Sequence, residues 1–234
     1  MFKKIIKSII PKKLLKKYRE IRGLYFNGFV IKSYSQEGED LILKRIFGEK
    51  KNGFYVDVGA FHPFWISNTN IFYKNGWNGV NIDAMPSSMA LFDKFRPRDI
   101  NLECPISDEN KILTYYAFND PALNGFSKDL SIARNSDPNW EIIFQKNMET
   151  KRLAQVLDEN LPKGIHIDFM SIDVEGLDYA VLRSNDWERY RPDVVLVEML
   201  NTSLEDIVYS EIGIYMKSNG YAVFAKTANT VFFR

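Results

Sequence analysis

Cysteine occurs once in the 234 residues, as Cys104, and histidine twice, as His62 and His166. A lone cysteine excludes an internal disulfide and a cysteine-rich zinc site. Beside Pro105 it reads as a small packed apolar residue in a reducing, cytoplasmic compartment. Long uncharged runs are also missing. The longest, Asn52 to Tyr73, holds only Asp57 but is broken by Gly53, Gly59, Pro63 and several Asn residues. It reads as core strand plus pocket loop rather than a membrane span, and no cleavable signal is evident. The glycine triplet of dinucleotide folds is absent too. Where G-x-G-x-x-G brings three glycines to a pyrophosphate, this chain has Asp57-Val58-Gly59-Ala60-Phe61-His62-Pro63.

What is present is a set of apolar strands that end in acids. Phe54 to Val58 runs into Gly59, and Gly79-Val80-Asn81-Ile82 ends on Asp83, 24 residues after that glycine. A strand, a glycine turn, a crossover and a second strand tipped by a carboxylate is how doubly wound folds hold an adenine nucleoside, with the acid on the ribose. Two more strands, Ile167 to Ile172 and Val194 to Val197, run into Asp173 and Glu198. Carboxyl ends of strands form the ligand crevice of an open α/β sheet, so Asp57, Asp83, Asp173 and Glu198 are expected along one edge. An acid two positions before Gly59 repels a phosphate and attracts a sulfonium and an ammonium group. That favours S-adenosylmethionine over NAD, with Asp57 and Gly59 near the methionine portion and Asp83 at the ribose.

Taken together, Ser35-Gln36 with Glu39-Asp40, Asp57-Val58-Gly59-Ala60 with His62-Pro63, Ser67-Asn68-Thr69, Gly76-Trp77-Asn78-Gly79 with Asn81-Ile82-Asp83, and Ser171-Ile172-Asp173-Val174-Glu175-Gly176 resemble the FkbM family of S-adenosylmethionine-dependent methyltransferases. The likeness covers roughly residues 33 to 200. It implies a class I methyltransferase (Rossmann-like) fold and methyl transfer, often to a hydroxyl of a sugar, glycan or polyketide. It also places Gln36, Asp40, Asn68 and Thr69 at the amino-acid end of the cofactor, although Asn68 and Thr69 can equally cap a helix. Ala60, Ala84 and Ser107 join the expected cofactor contacts. The class further sets the third strand end against the adenine, which makes Asp108 a candidate for its amino group; an Asx turn is the other reading. Phe61 and Ala84-Met85-Pro86 depart from the family's small polar residue and Pro-rich turn.

The fold class expected is therefore α/β, a doubly wound, mostly parallel seven-stranded sheet. Tyr221 to Ala225 and Thr230 to Phe233 are four residues apart and must pair antiparallel, which gives the sheet a C-terminal hairpin. Ser35 is expected to cap a helix closing at Gly48, and Pro86 to open one carrying Met89, Phe92 and Phe95. The third strand is expected from Ile100 to Ile106, and Ser203 to start one helix running to Lys217. At 45% hydrophobic and 26% charged residues, residues 31–234 suffice for a single domain. About thirty residues around 119–149, rich in turn chemistry but interleaved with Phe126, Ile132, Trp140 and Phe144, read as an ordered lid over the acceptor.

Charge is unevenly spread. Residues 1–23 hold nine Lys or Arg against Glu20, a balance of +8, so the rest carries −7 of the net +1. Phe2, Ile5, Ile6, Ile9, Ile10, Leu14, Leu15 and Tyr18 recur at near-helical spacing around a break at Pro11. The segment 1–30 thus reads as a basic amphipathic head for peripheral contact with an anionic bilayer, or as a helix packed on its own domain or a partner. The acidic body argues against nucleic acid. So does Asp137-Pro138-Asn139-Trp140, which lacks the second proline of a base-methyltransferase motif.

An alcohol acceptor must lose a proton, so a general base is expected. His62, Asp173 and Glu175 are the candidates; His62 can instead merely shape a loop, and His166 reads as structural. Asp173, Glu175 and Glu198 also form an oxygen set for a divalent metal, the alternative means of activating the acceptor. The acceptor class is a saccharide or other hydroxyl compound. A NAD-type enzyme and a non-catalytic nucleoside-binding adaptor are the competing functions.

Overall fold

Successive strand residues point to opposite faces of a sheet, and that two-residue period sorts this core into two layers. A computed structural model describes residues 11–26 and 30–234. The sequence expectations for residues 2–10 lie outside them. Two units are distinguished, residues 1–33 and residues 34–234. The described residues of the first include one helix, α1 (Lys12–Tyr25), which starts directly after Pro11 and buries none of its residues.

The second unit runs α2 (Glu39–Phe47), β1 (Phe54–Val58), α3 (Asn70–Lys74), β2 (Asn78–Asp83), α4 (Met89–Phe95), β3 (Ile100–Glu103), β4 (Ile112–Phe118), α5 (Lys128–Asn135), β5 (Ile142–Glu149), α6 (Leu153–Asn160), β6 (Phe169–Ile172), α7 (Asp178–Ser184), β7 (Val194–Glu198), α8 (Leu204–Tyr209), α9 (Glu211–Ser218), β8 (Val223–Lys226) and β9 (Thr230–Phe233). Seven strands form one sheet in the order β3-β2-β1-β6-β7-β9-β8. All neighbours are parallel except β7 with β9 and β9 with β8. This is the class I methyltransferase fold, antiparallel hairpin included. The order reverses between β1 and β6, which is where ligands bind in doubly wound sheets.

On one face Val56, Val58, Val80, Ile82, Met170, Ile172, Val195 and Val197 pack with Leu153, Leu157, Val181, Leu182 and Met216 of the helices. Tyr55, Phe169, Leu196 and Phe232 on the other meet Leu43, Ile71, Phe72 and Trp77. The second face also carries a polar row, because Asp57 lies in register with Asn81 on one side and Ser171 on the other.

Four local expectations are corrected. Ser35 is not the N-cap residue of α2, which is Gly38 in left-handed backbone, but its hydroxyl still accepts from the first-turn N–H of Asp40 at 3.3 Å while donating to the Asp40 carboxylate at 3.0 Å. Strand β3 stops at Glu103, because Pro105 has no N–H to continue the ladder. The chain then veers to a parallel bridge between Ile106 and Lys151. Ser203 does cap a helix, but the helix breaks at Ser210, whose hydroxyl accepts from Gly213 N–H at 3.0 Å and starts α9. Finally, the second half of the expected lid is a strand: β5 pairs antiparallel with β4. A 3-10 turn (Pro121–Leu123) and α5 lie between them.

Candidate active site

A cavity of about 420 Å³ opens at the carboxyl ends of β1, β2, β6 and β7. Its floor is Gly59, and only glycine fits there. The backbone has φ +85°, and a Cβ would fall 1.7 Å from the carbonyl oxygen of Asp173. That contact joins the loops after β1 and β6 at the reversal of strand order. Three non-glycine residues lining the cavity, Phe61 (φ 52°), Ile66 (φ 49°) and Glu175 (φ 54°), also adopt left-handed backbone. Such conformations cost roughly 1–3 kcal/mol each and persist where the surroundings enforce them, commonly at functional sites.

The strand-tip acids are brought together as expected. Asp83, Asp173 and Glu198 line this cavity. Asp57 lines a smaller one beside it, of about 30 Å³, which shares Gln36, Gly59, Asp173, Glu198 and Asn229 with the first. Two register positions before the other three acids, Asp57 points down the sheet face and is buried. It accepts a 3.0 Å hydrogen bond from Thr69, and desolvation lifts its pKa to about 6 against the pull of Arg96. Asp83 sits at the tip of β2. Its two oxygens accept from the N–H groups of Phe61 (2.8 Å) and Met85 (2.7 Å), which fixes the carboxylate beside Ala84 and leaves each oxygen a second lone pair.

Asp173 and Glu198 bring carboxylate oxygens within 4.8 Å of one another, close enough for their titrations to be coupled. Desolvation comes first in raising Asp173 well above the ordinary carboxylate range, followed by the charges of Glu198 and Glu175. Desolvation, then Glu175 and Asp178, raise Glu198 to about 8. Glu175 is held by Arg134 of α5, whose guanidinium pairs with its carboxylate and also donates to the carbonyl of Leu123 at 2.9 Å. Asp178 fixes the loop from below, accepting from Val174 and Gly176 N–H, each at 3.1 Å. Gly125 of the insertion lies so near that a Cβ there would sit 3.1 Å from Glu175. Asp173, Glu175 and Glu198 each place an oxygen within 4.8 Å of the others, a spacing suited to a divalent cation.

Other expected residues lie elsewhere. His62 does not line either cavity; its Nδ1 accepts from the N–H groups of Phe64 (3.1 Å) and Trp65 (3.2 Å), and desolvation lowers its pKa. Asp40 is buried and accepts from Tyr34 N–H at 2.8 Å. Ser107 and Asp108 follow the bend after Pro105 and turn away from the cavity, with Asp108 paired to Lys111 at 2.9 Å. Their place on the wall is taken by Cys104, Ile106 and Tyr115. Asn68 lines the smaller cavity and donates to Ser171 at 3.0 Å, and Ala60 lines it too. Thr69 is buried between Asp57 and Arg96. His166 pairs with Asp193 at 3.0 Å, just before β6, as a structural histidine does.

Two arginines were missed by sequence reasoning. Arg96 is fully buried, donating to Thr69 (2.6 Å), Ser67 (2.9 Å) and the Pro63 carbonyl (3.1 Å). Arg134 spans the cavity wall. Neither lies in a motif; only the weight of unpaired acid in the strand tips signals that cations must come from elsewhere.

A sequence profile described as the methyltransferase FkbM domain matches residues 57–223, over two thirds of the chain. The chain belongs to the FkbM methyltransferase family. Among solved structures, an FkbM methyltransferase from Methylobacillus flagellatus KT is 10% identical with a TM-score of 0.44, the match covering 79% of this chain and 44% of that one. This FkbM chain thus spans less than half of that protein. A precorrin-6y C5,15-methyltransferase from Geobacter metallireducens GS-15 is 11% identical with a TM-score of 0.39, over 87% of this chain and 90% of that one. No curated protein matches the chain.

Proposed function

We propose that this FkbM protein transfers a methyl group from S-adenosylmethionine to a hydroxyl oxygen, on a sugar or glycan intermediate. The observation that carries this reading is the gathering of Asp83, Asp173, Glu175 and Glu198 around one cavity at the reversal of strand order, with Arg134 as the one cation lining it among the described residues. Such a lining suits a cationic ligand and disfavours a pyrophosphate, which argues against a NAD-type enzyme. The donor's fit rests on Gly59, whose missing Cβ lets the loops after β1 and β6 close together as the floor of the cavity.

Asp83 would hold the ribose hydroxyls, Cys104, Ile106 and Tyr115 the adenine, and Gln36 and Asn68 the amino-acid end. Bound there, S-adenosylmethionine supplies a methyl group on an electrophilic sulfonium. The Asp173–Glu198 pair faces the acceptor and takes the proton from its hydroxyl, a contribution of about 10² to 10⁴ in rate. Arg134 orients Glu175 beside the pair and opposes the desolvation that raises its pKa. Phe61, Trp65 and Leu200 wall the remainder and keep water from the reacting oxygen.

Methyl-labelled donor offered with a panel of nucleotide sugars, glycolipids and small alcohols tests the reading. An ether methyl on a saccharide is expected; label on nitrogen acceptors alone overturns the hydroxyl assignment, and donor binding without turnover on any acceptor points to an adaptor. The spacing of Asp173, Glu175 and Glu198 favours one second mechanism, activation by a divalent cation. Loss of turnover with a chelator, restored by Mg²⁺, would select it.

A further inference from the structure

The helix of the basic head has a definite face. Leu14, Tyr18, Ile21 and Tyr25 are spaced by four, three and four residues, which aligns them along one side of α1. All four are exposed, Leu14 and Tyr18 at 63% and Tyr25 at 77%, as is Leu24 at 72%. Lys12, Lys16 and Arg19 occupy the opposite side, and Lys13, Lys17 and Arg22 fall on the flanks. Six cations against Glu20 within fourteen residues is a strong local field. In sequence, Lys3, Lys4 and Lys7 with Phe2, Ile5, Ile6, Ile9 and Ile10 extend the same composition. No helix among the described residues is long and apolar enough to cross a membrane.

We infer that α1 is a docking helix for an anionic lipid bilayer, lying in the headgroup plane with Leu14, Tyr18, Ile21 and Tyr25 inward and its lysines on the lipid phosphates. Charge complementarity selects this occupant. An apolar stripe alone would suit any hydrophobic partner, but a stripe flanked on both sides by cations matches a surface that is apolar at depth and anionic at its rim. Residues 24–234, at −7, are repelled by that surface. Binding is therefore confined to the head, and the acidic domain is not drawn down flat. A second copy of the chain is the less suited occupant, since its head would present the same +8.

Co-sedimentation of the full chain with lipid vesicles tests this without reference to turnover, so its outcome is separate from that of the methyl-transfer reading. The chain is expected to pellet with vesicles containing about 30% phosphatidylserine and to stay in solution with pure phosphatidylcholine. It should be released when salt is raised from about 0.1 M to about 0.5 M. Lys16→Gln with Lys17→Gln should weaken partitioning roughly thirtyfold, each charge contributing about fivefold. Leu14→Glu with Ile21→Glu should abolish it while leaving the melting temperature of the domain unchanged. Failure to pellet with anionic vesicles overturns the inference, as does pelleting that survives both double variants. A wild-type dimer that ignores vesicles and becomes monomeric in Leu14→Glu with Ile21→Glu assigns the face to a second copy.

Discussion

A Cβ on Gly59 would lie 1.7 Å from the carbonyl oxygen of Asp173. The loops after β1 and β6 are thus in backbone contact at the point where the sheet changes direction, and the floor of the cavity exists only because residue 59 has no side chain. Gly59→Ala must both enter left-handed backbone, at about 1–2 kcal/mol, and push the two loops apart, at about 1–3 kcal/mol. A loss of at least about 2 kcal/mol in urea denaturation is expected, with donor binding lost even in the folded fraction. An unchanged midpoint would show that the loops give way freely.

Activity should depend on the ionisation of the neighbouring Asp173 and Glu198 carboxyls. Turnover is expected to rise with pH through an inflection near the Glu198 value of about 8, and Glu198→Gln should remove that limb and about 10² or more in rate. Stability runs the other way. Asp57, at about 6 rather than 3.8, and Glu198, at about 8 rather than 4.5, bind protons more tightly folded than unfolded. Their contribution is therefore fullest below the unfolded values and is lost as pH rises through the folded ones. Denaturant midpoints measured across this range should fall with pH; a rise would contradict the assignment.

Arg134 and Glu175 form a partly buried pair, at 15% and 17% side-chain exposure, joining the insertion to the loop after β6. A double-mutant cycle with Arg134→Leu and Glu175→Gln should give a coupling of about 1–3 kcal/mol. Arg134→Leu should raise KM for the acceptor more than for the donor, since the insertion walls the acceptor side. Equal effects on both would mean the pair holds the fold rather than the substrate.

Arg96 reaches the Asp57 carboxylate only through the Thr69 hydroxyl, at 2.6 and 3.0 Å. Arg96→Met strands the Pro63 carbonyl and leaves Asp57 without its cation. About 3–5 kcal/mol should be lost, and the Asp57 carboxyl signal in NMR should titrate at still higher pH. Thr69→Val, which breaks only the link, should cost about 1–2 kcal/mol. Equal losses for the two would show that the guanidinium acts by packing alone.

The strand tips were legible in sequence because an acid closing an apolar run is a local pattern, and Asp83, Asp173 and Glu198 all line the cavity. Asp57 was legible as a pocket residue but not as one inside the sheet, since that depends on the register, which sets it two positions short of the other acids. Arg134 was not legible: it meets Glu175 across 41 positions, joined by a hairpin that no local motif announces. Asp108 was misplaced because the bend at Pro105 removes it, although a proline there was the available warning. His62 drew attention by residue type, whereas its ring nitrogen is occupied by two backbone N–H groups.

Isothermal calorimetry with S-adenosylmethionine and with its demethylated product tests the central claim most directly. Saturable heat is expected for both, weakened about tenfold or more by Asp83→Ala through loss of a charge-assisted contact. An absence of heat for either ligand, or binding indifferent to Asp83→Ala, would contradict the account.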